Sequence, residues 1–133
     1  MIGLDTNVLV RFIVDSPDAP DPSVRARAVV QAAVEAEEEV FISTVTLVET
    51  VWVLRGAGRF NREAIARVIR TLLRARLFVV EGREFVEDAL VTYEQGPGDF
   101  ADFLIGAQSS RRGCRWVYTF DGDLHRRSEF REP

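Results

Sequence analysis

The chain has 133 residues and a formal net charge of -4 at pH 7, and 47% of its residues are hydrophobic. This composition predicts a soluble globular protein with one domain, residues 1–133. No apolar run approaches the ~20 residues that cross a bilayer, and Asp5 and Arg11 interrupt the apolar start, so neither a membrane span nor a signal peptide is expected. The single cysteine, Cys114, excludes an internal disulfide and favours a reducing cytoplasm.

The first half of the chain alternates between strand and helix patterns. An apolar strand over 1–4 stops at Asp5, and a helical repeat follows it. A loop rich in Pro and Asp over 15–22 leads to a helix over 23–38. A strand over 40–43 and a helix over 44–55 come next, ended by the Gly56-Ala57-Gly58 breaker. The expected inner face of the second helix is Val24, Ala28, Val29, Ala32 and Ala33.

The second half continues the alternation. Asn61 is predicted to cap a helix with an apolar face made of Ile65, Val68, Ile69, Leu72 and Leu73. A strand over 77–80, a helix over 84–94 and a Gly96-Pro97-Gly98 break follow. Asp99 then opens a helix with Phe100, Phe103, Leu104 and Ala107 inward, and a fourth strand over 116–120 ends at Asp121. Strands separated by helices predict an α/β protein, a three-layer α/β/α sandwich with a central parallel sheet of four to five strands.

Acidic residues fall where the predicted strands end. Asp5 follows the first strand, Asp121 follows the fourth, and Glu49 lies in the helix after the second. Asp99 and Asp102 are three residues apart on one helix, so their side chains share a face. Because ligands bind beyond the carboxyl ends of parallel strands, these acids are expected to meet at one edge of the sheet.

Each acid also has a purely structural explanation. Asp5 and Asp99 stand at helix starts, where a carboxylate caps the helix. Thr46 and Glu49 have the spacing of a capping box. Asp121 precedes Gly122 in a common turn dipeptide. Capping does not, however, require all the acids to lie at the same end of the sheet, and this shared placement favours a site.

A cluster of carboxylates would require a cation. Two carboxylates 4 Å apart repel by about 4 kcal/mol at an effective dielectric constant of 20. Oxygen ligands without nearby His or Cys select Mg²⁺ or Mn²⁺ over zinc. Sites of this kind most often serve phosphodiester hydrolysis. The negative net charge does not argue against a nucleic acid, because acids gathered in one site leave the rest of the chain near neutral.

Four segments resemble the PIN-domain nucleases and, among them, the VapC-type toxins of prokaryotic toxin–antitoxin (VapBC) pairs. The segments are the Leu-Asp-Thr-Asn-Val-Leu of 4–9, the Val-Glu-Thr-Val-Trp-Val-Leu of 48–54, the Asp-Phe-Ala-Asp-Phe-Leu-Ile of 99–105 and the Thr-Phe-Asp of 119–121. None is specific alone, but their order and spacing resemble the family over essentially the whole chain.

The resemblance implies a PIN-like fold and a toxin-type endoribonuclease, in which water activated at an acidic Mg²⁺ or Mn²⁺ site hydrolyses RNA and leaves 5′-phosphate and 3′-hydroxyl ends. The implied catalytic and metal-binding acids are Asp5, Glu49, Asp102 and Asp121, with Asp99 as a further metal ligand and Asp123 as an accessory acid. The implied supporting residues, which act by hydrogen bonding, are Thr6, Asn7 and Thr119.

The resemblance also implies partners: an RNA substrate, a small VapB-like antitoxin that inhibits the toxin, and a second copy in a homodimer. Loops of transfer or ribosomal RNA fit as substrates, because unstacked nucleotides reach an active site more easily than paired ones. Trp52, Phe60 and the helix over 65–73 could serve these contacts, although core packing explains them as well. His125 is expected to be a solvated loop residue, and Cys114 a small buried or edge residue.

Two other functions fit parts of the pattern. A phosphatase with an aspartyl nucleophile would need a second Asp where the chain has Asn7, and a catalytic lysine, which the chain lacks altogether. A catalytically silent PIN-like RNA-binding module stays open, although unmetallated acids would repel RNA phosphates.

Overall fold

The structure is a computed structural model that describes residues 1–14, 20–56 and 60–133. Contacts between residues divide it into two compact units, Met1–Glu81 and Gly82–Pro133. The predicted loop over 15–22 and the glycine breaker after residue 55 lie partly outside the described residues. None of the helices in the described part of the chain has the length and apolar content that a membrane span requires.

The first unit contains a parallel three-stranded sheet in the order β1-β2-β3. Val40 pairs with Ile2 on one side and with Phe78 on the other, so β2 is the central strand. Val40 and Ile42 are completely buried, as expected of a central strand with both edges paired. The elements of this unit are β1 (Ile2–Gly3), α1 (Thr6–Ile13), α2 (Pro20–Glu35), β2 (Val40–Ile42), α3 (Thr44–Gly56), α4 (Arg62–Arg74) and β3 (Phe78–Val80).

The predicted α4 is confirmed in its cap and in four of the five residues of its apolar face, whereas Val68 is half-buried. The Asn61 side chain accepts a hydrogen bond from the Ala64 backbone N–H at 2.9 Å. Ile65, Ile69, Leu72 and Leu73 are buried, at most 5% exposed. These residues belong to the core of the unit, so core packing explains them and this side of α4 is not a docking surface.

The prediction for α2 is wrong in its bounds and in most of its inner face, of which Ala33 alone is buried. The helix starts at Pro20, which suits the first helical position, and ends at Glu35, before Glu37 adopts a left-handed φ of 52°. Val24 and Val29 are 55% and 43% exposed. Apolar residues occur on several faces of this helix, and contact with α1 selects the face that is buried, namely Ser23, Ala26, Val30 and Ala33.

The second unit contains α5 (Arg83–Gln95), α6 (Phe100–Arg111), β4 (Val117–Tyr118), a 3-10 helix (Leu124–Arg126) and β5 (Phe130–Arg131). Phe100, Phe103 and Leu104 are buried, as predicted, and Phe100 meets Tyr93 of α5 edge to face. Phe130 packs against Gly106 of α6, where an added Cβ would lie 3.2 Å from the Phe130 ring. The small residue on α6 therefore lets β5 approach the helix closely.

The α/β class with parallel strands is confirmed, but the strand content differs from the prediction. Among the described residues, the sheets are the three-stranded one of the first unit and a separate parallel pair, β4 with β5. These strand pairs do not form the continuous sheet of four to five strands that was predicted. The predicted fourth strand shortens to Val117–Tyr118, and β5 was not predicted because a two-residue strand carries no periodic signal.

Candidate active site

Asp5 lies in the first unit, directly after β1, and caps α1. Its carboxylate Oδ1 accepts a hydrogen bond from the Thr6 backbone N–H at 2.8 Å. The capping role proposed from the sequence is therefore real. It engages one carboxylate oxygen, and Oδ2 accepts no hydrogen bond from the described residues, so the cap orients Asp5 without using all of its acceptor capacity.

Glu49, on α3 of the same unit, accepts a hydrogen bond from the Thr6 hydroxyl. The alternative of a capping box is wrong, because α3 starts earlier than that motif requires. Ser43 caps the helix, and its hydroxyl accepts a hydrogen bond from the Thr46 N–H at 3.0 Å. Glu49 is exposed. Thr6 donates hydrogen bonds to both Asp5 and Glu49, so one threonine links two of the predicted acids.

Asn7 borders a cavity of about 320 Å³ between α1 and α2 in the first unit. Arg11 and Arg25 line the same cavity, together with apolar side chains of both helices. Asn7 is exposed, and among the described residues it makes no hydrogen bond with the predicted acids. Asn7 follows Asp5 by two residues in the chain, but its side chain lines this cavity.

Asp99 caps α6 in the second unit, and its Oδ1 accepts from the Ala101 N–H at 3.2 Å. Gly98 precedes it with a φ of +135°, and a Cβ there would collide with the Phe103 ring. Both facts require glycine at this position. The Gly-Pro-Gly break seen in the sequence therefore brings the chain onto the Phe103 ring just before the cap.

Asp102 is half-buried in the first turn of α6, and its surroundings disfavour its charge. Burial raises the pKa of its carboxyl above the ordinary 3.8, and the carboxylates of Asp99 and Asp121 raise it further by repulsion. The second unit therefore brings these three predicted acids within electrostatic reach of one another. Such repulsion between neighbouring carboxylates is expected of clustered acids.

Asp121 stands in a turn that its neighbours hold in shape. The Thr119 hydroxyl accepts from the Asp121 N–H at 3.1 Å, and the Asp121 Oδ1 accepts from the Asp123 N–H at 2.9 Å. His125 is half-buried, with its Nε2 2.9 Å from the Thr119 carbonyl oxygen, so it closes this loop and is not the solvated histidine that was predicted. Asp123 is exposed, and so is Cys114, for which a buried or edge position was expected.

Over the residues that the structure describes, no three Asp, Glu, His or Cys side chains form a group that could hold a metal ion. A common site for the four central acids thus stays a prediction.

Sequence reasoning also passed over a signal next to Asp121. Trp116, Tyr118 and Phe120 occupy alternate positions before it, a spacing that places side chains on one side of an extended chain.

Residues 2–129 match the PIN domain family. The chain belongs to this family. The match runs through both compact units of this PIN domain, and it confirms the family membership that the four sequence segments indicated.

The PIN domain is also similar to a protein named "VapC ribonuclease" from Aquifex aeolicus (strain VF5). The two are 26% identical over 117 residues, which is 88% of this chain and 84% of the relative. No solved structure matches the chain significantly. The similarity to a VapC protein agrees with the resemblance that the sequence segments carry.

Proposed function

We propose that the chain is a toxin-type endoribonuclease that hydrolyses RNA with a divalent cation held by Asp5, Glu49, Asp102 and Asp121. The observation that carries this proposal is the PIN domain match over residues 2–129. The similarity to a protein named VapC ribonuclease supports RNA as the substrate and a toxin as the type of enzyme. We also propose that the protein acts in the cytoplasm, the reducing compartment that its single cysteine favours.

The chemistry of the donors fits Mg²⁺ or Mn²⁺. The proposed ligands offer carboxylate oxygens only, which these cations prefer. Burial raises the pKa of Asp102, and repulsion from Asp99 and Asp121 raises it further. A bound cation would relieve that repulsion. When bound, the cation would activate water and neutralise charge developing on the phosphate.

The protein's own residues would hold these ligands in place. The Thr6 hydroxyl orients Glu49, and the Thr6 N–H orients Asp5. Thr119 fixes the backbone of Asp121. Ligands oriented before the substrate arrives need no reorganisation during the reaction, so we assign Thr6 and Thr119 as positioning residues. We also propose Asn7 and Asp123 as supporting residues, because Asn7 follows Thr6 and the Asp123 N–H donates to the Asp121 carboxylate.

We further propose that the enzyme forms a homodimer and is inhibited by a small VapB-like antitoxin. The exposed face of α3 supports a protein partner. Val45, Trp52 and Val53 are 67%, 53% and 45% exposed, and their spacing places them on one side of the helix with Glu49. Large apolar side chains grouped on a surface mark interaction sites. The substitution Trp52→Asp should weaken the dimer in analytical ultracentrifugation.

Cleavage of a structured RNA, such as total transfer RNA, tests the enzymatic proposal. Activity should need Mg²⁺ or Mn²⁺, stop with EDTA and fall at least about 100-fold in Asp5→Asn and Asp102→Asn. Asp88→Asn is the matched control, because Asp88 is an acid of the second unit that pairs with Arg111 at 2.7 Å. Cleavage that persists in EDTA would reject the metal mechanism. Binding of RNA without cleavage would indicate the silent module instead.

A further inference from the structure

The β4–β5 pair of the second unit has one inner and one outer face. In its parallel register, Val117 lies opposite Phe130, and Tyr118 lies opposite Arg131. Phe130 is only 2% exposed, whereas Tyr118 is 62% exposed. Because partner residues in a sheet point to the same side, Tyr118 and Arg131 form the outer face, turned away from α6.

Three aromatic side chains follow this outer face. We call Trp116, Tyr118 and Phe120 the aromatic stripe. The rings of Trp116 and Tyr118 meet edge to face with centroids 6.3 Å apart. The Thr119 N–H donates to the Arg131 carbonyl at 2.9 Å, which keeps the backbone paired beyond β4. Phe120 occupies the next alternate position along the chain, at the bend after this pairing, and it is 89% exposed.

Two arginines flank the aromatic stripe. The Arg115 guanidinium carbon lies 4.2 Å from the centroid of the Trp116 ring, and that of Arg131 lies 5.8 Å from it. Neither guanidinium forms an ion pair with a carboxylate in the part of the chain that the structure describes, although Arg131 donates a hydrogen bond to the Phe130 carbonyl oxygen at 3.2 Å. Two guanidinium groups thus lie near the Trp116 ring of the stripe. Because no carboxylate neutralises them there, both can contact an anion.

We propose that the aromatic stripe binds single-stranded RNA, with bases stacked on Tyr118 and Phe120 and phosphates contacted by Arg115 and Arg131. Proteins bind unpaired nucleotides with exposed aromatic rings, on which the bases stack, and with nearby positive charges, which contact the backbone. Bases within a duplex are already stacked and do not offer their faces, so a double-stranded ligand does not fit.

The stripe leads directly to a proposed catalytic acid. Phe120 is adjacent to Asp121, and Asp121 interacts electrostatically with Asp102. A strand of RNA stacked along the stripe would therefore reach the acids of the second unit. The inference deepens the proposed nuclease function and rests on it for the identity of the ligand. It assigns Tyr118 and Phe120 as substrate-binding residues.

The test measures RNA binding separately from cleavage. A fluorescently labelled 12-nucleotide single-stranded RNA is titrated with the full chain in EDTA at low salt, and its anisotropy is recorded. Tyr118→Ala and Phe120→Ala should each weaken binding roughly 5- to 100-fold, and Phe120→Tyr should retain it. The matched control is Val91→Ala, which removes an exposed apolar side chain of α5, 56% exposed, and should leave affinity unchanged.

Two further measurements make the outcome decisive. In a Trp52→Phe background the emission of Trp116 should be quenched by single-stranded RNA and not by the same sequence in a duplex. The thermal midpoints of Tyr118→Ala and Phe120→Ala should match the wild type, because both side chains are exposed. Unchanged RNA affinity in both alanine variants overturns the inference, even if the wild type cleaves RNA. Stripe-dependent binding without cleavage would uphold it and reject the nuclease proposal.

A contact between copies of the chain is the competing use of this surface. If Phe120→Ala lowered the sedimentation coefficient and left RNA affinity intact, the stripe would be a protein interface and the inference would be wrong.

Discussion

Replacing Asp102 by asparagine should change stability in opposite directions with and without metal. In the metal-free protein, Asp102 is half-buried and faces the negative charges of Asp99 and Asp121, so its ionised form is disfavoured. Asparagine has nearly the same shape and no charge. We therefore expect Asp102→Asn to be more stable than the wild type at pH 7 in EDTA.

The magnitude follows from the partial exposure of the group. Solvent screens these repulsions, so their relief should contribute no more than about 1 kcal/mol. For a domain of this size, that raises the thermal midpoint by up to roughly 5 °C. Metal acts in the other direction. Mn²⁺ at about 100 times its dissociation constant stabilises the wild type by about 2.7 kcal/mol, or roughly 8–13 °C.

Thermal unfolding followed by circular dichroism, in EDTA and in excess Mn²⁺, measures both effects. The wild type should gain stability with Mn²⁺ and Asp102→Asn should gain little, so that the order of the two proteins reverses. Asp88→Asn should lose its exposed ion pair with Arg111 and keep the full Mn²⁺ shift. Equal Mn²⁺ shifts in the wild type and Asp102→Asn would refute the assignment of Asp102 as a ligand.

Other predictions address pH and the core. Since the folded-state pKa of Asp102 is raised, its contribution to stability is fully present below the ordinary 3.8 and lost as pH rises through the folded value; the gap between wild type and Asp102→Asn in EDTA should therefore close in acid. Thr50 is 1% exposed and its hydroxyl has no hydrogen-bond partner among the described residues, so Thr50→Val should raise the free energy of unfolding by about 1 kcal/mol, as measured by urea denaturation. Phe130→Ala should lower it by about 3–5 kcal/mol by the same assay, and an effect below 1 kcal/mol would contradict the packing of β5 on α6. Asn61→Ala should cost about 1 kcal/mol through loss of the α4 cap, whereas Asn61→Asp should keep most of it.

The sequence predicted several features of the site correctly because they are local. A cap needs only a residue and the helix that follows it, so the capping roles of Asp5 and Asp99 were readable from their places in the chain. The turn at Asp121 depends on the next two residues. The convergence of all four central acids is not local, and it stays a prediction that the metal-binding experiments address.

By itself, the sequence determined the order of helices and strands as far as β4, most of the apolar face of α4 and the glycine break before α6. Each is encoded within a few turns of chain, by periodicity or by backbone freedom. Tertiary structure decided which face of α2 is buried, since several of its faces are apolar and only contact with α1 distinguishes them. It also decided the partner of Glu49, because the Thr6 hydroxyl comes from 43 residues away in the chain. The outward aromatic stripe depends on the pairing of β4 with β5, which turns Phe130 inward and leaves Tyr118 on the exposed face.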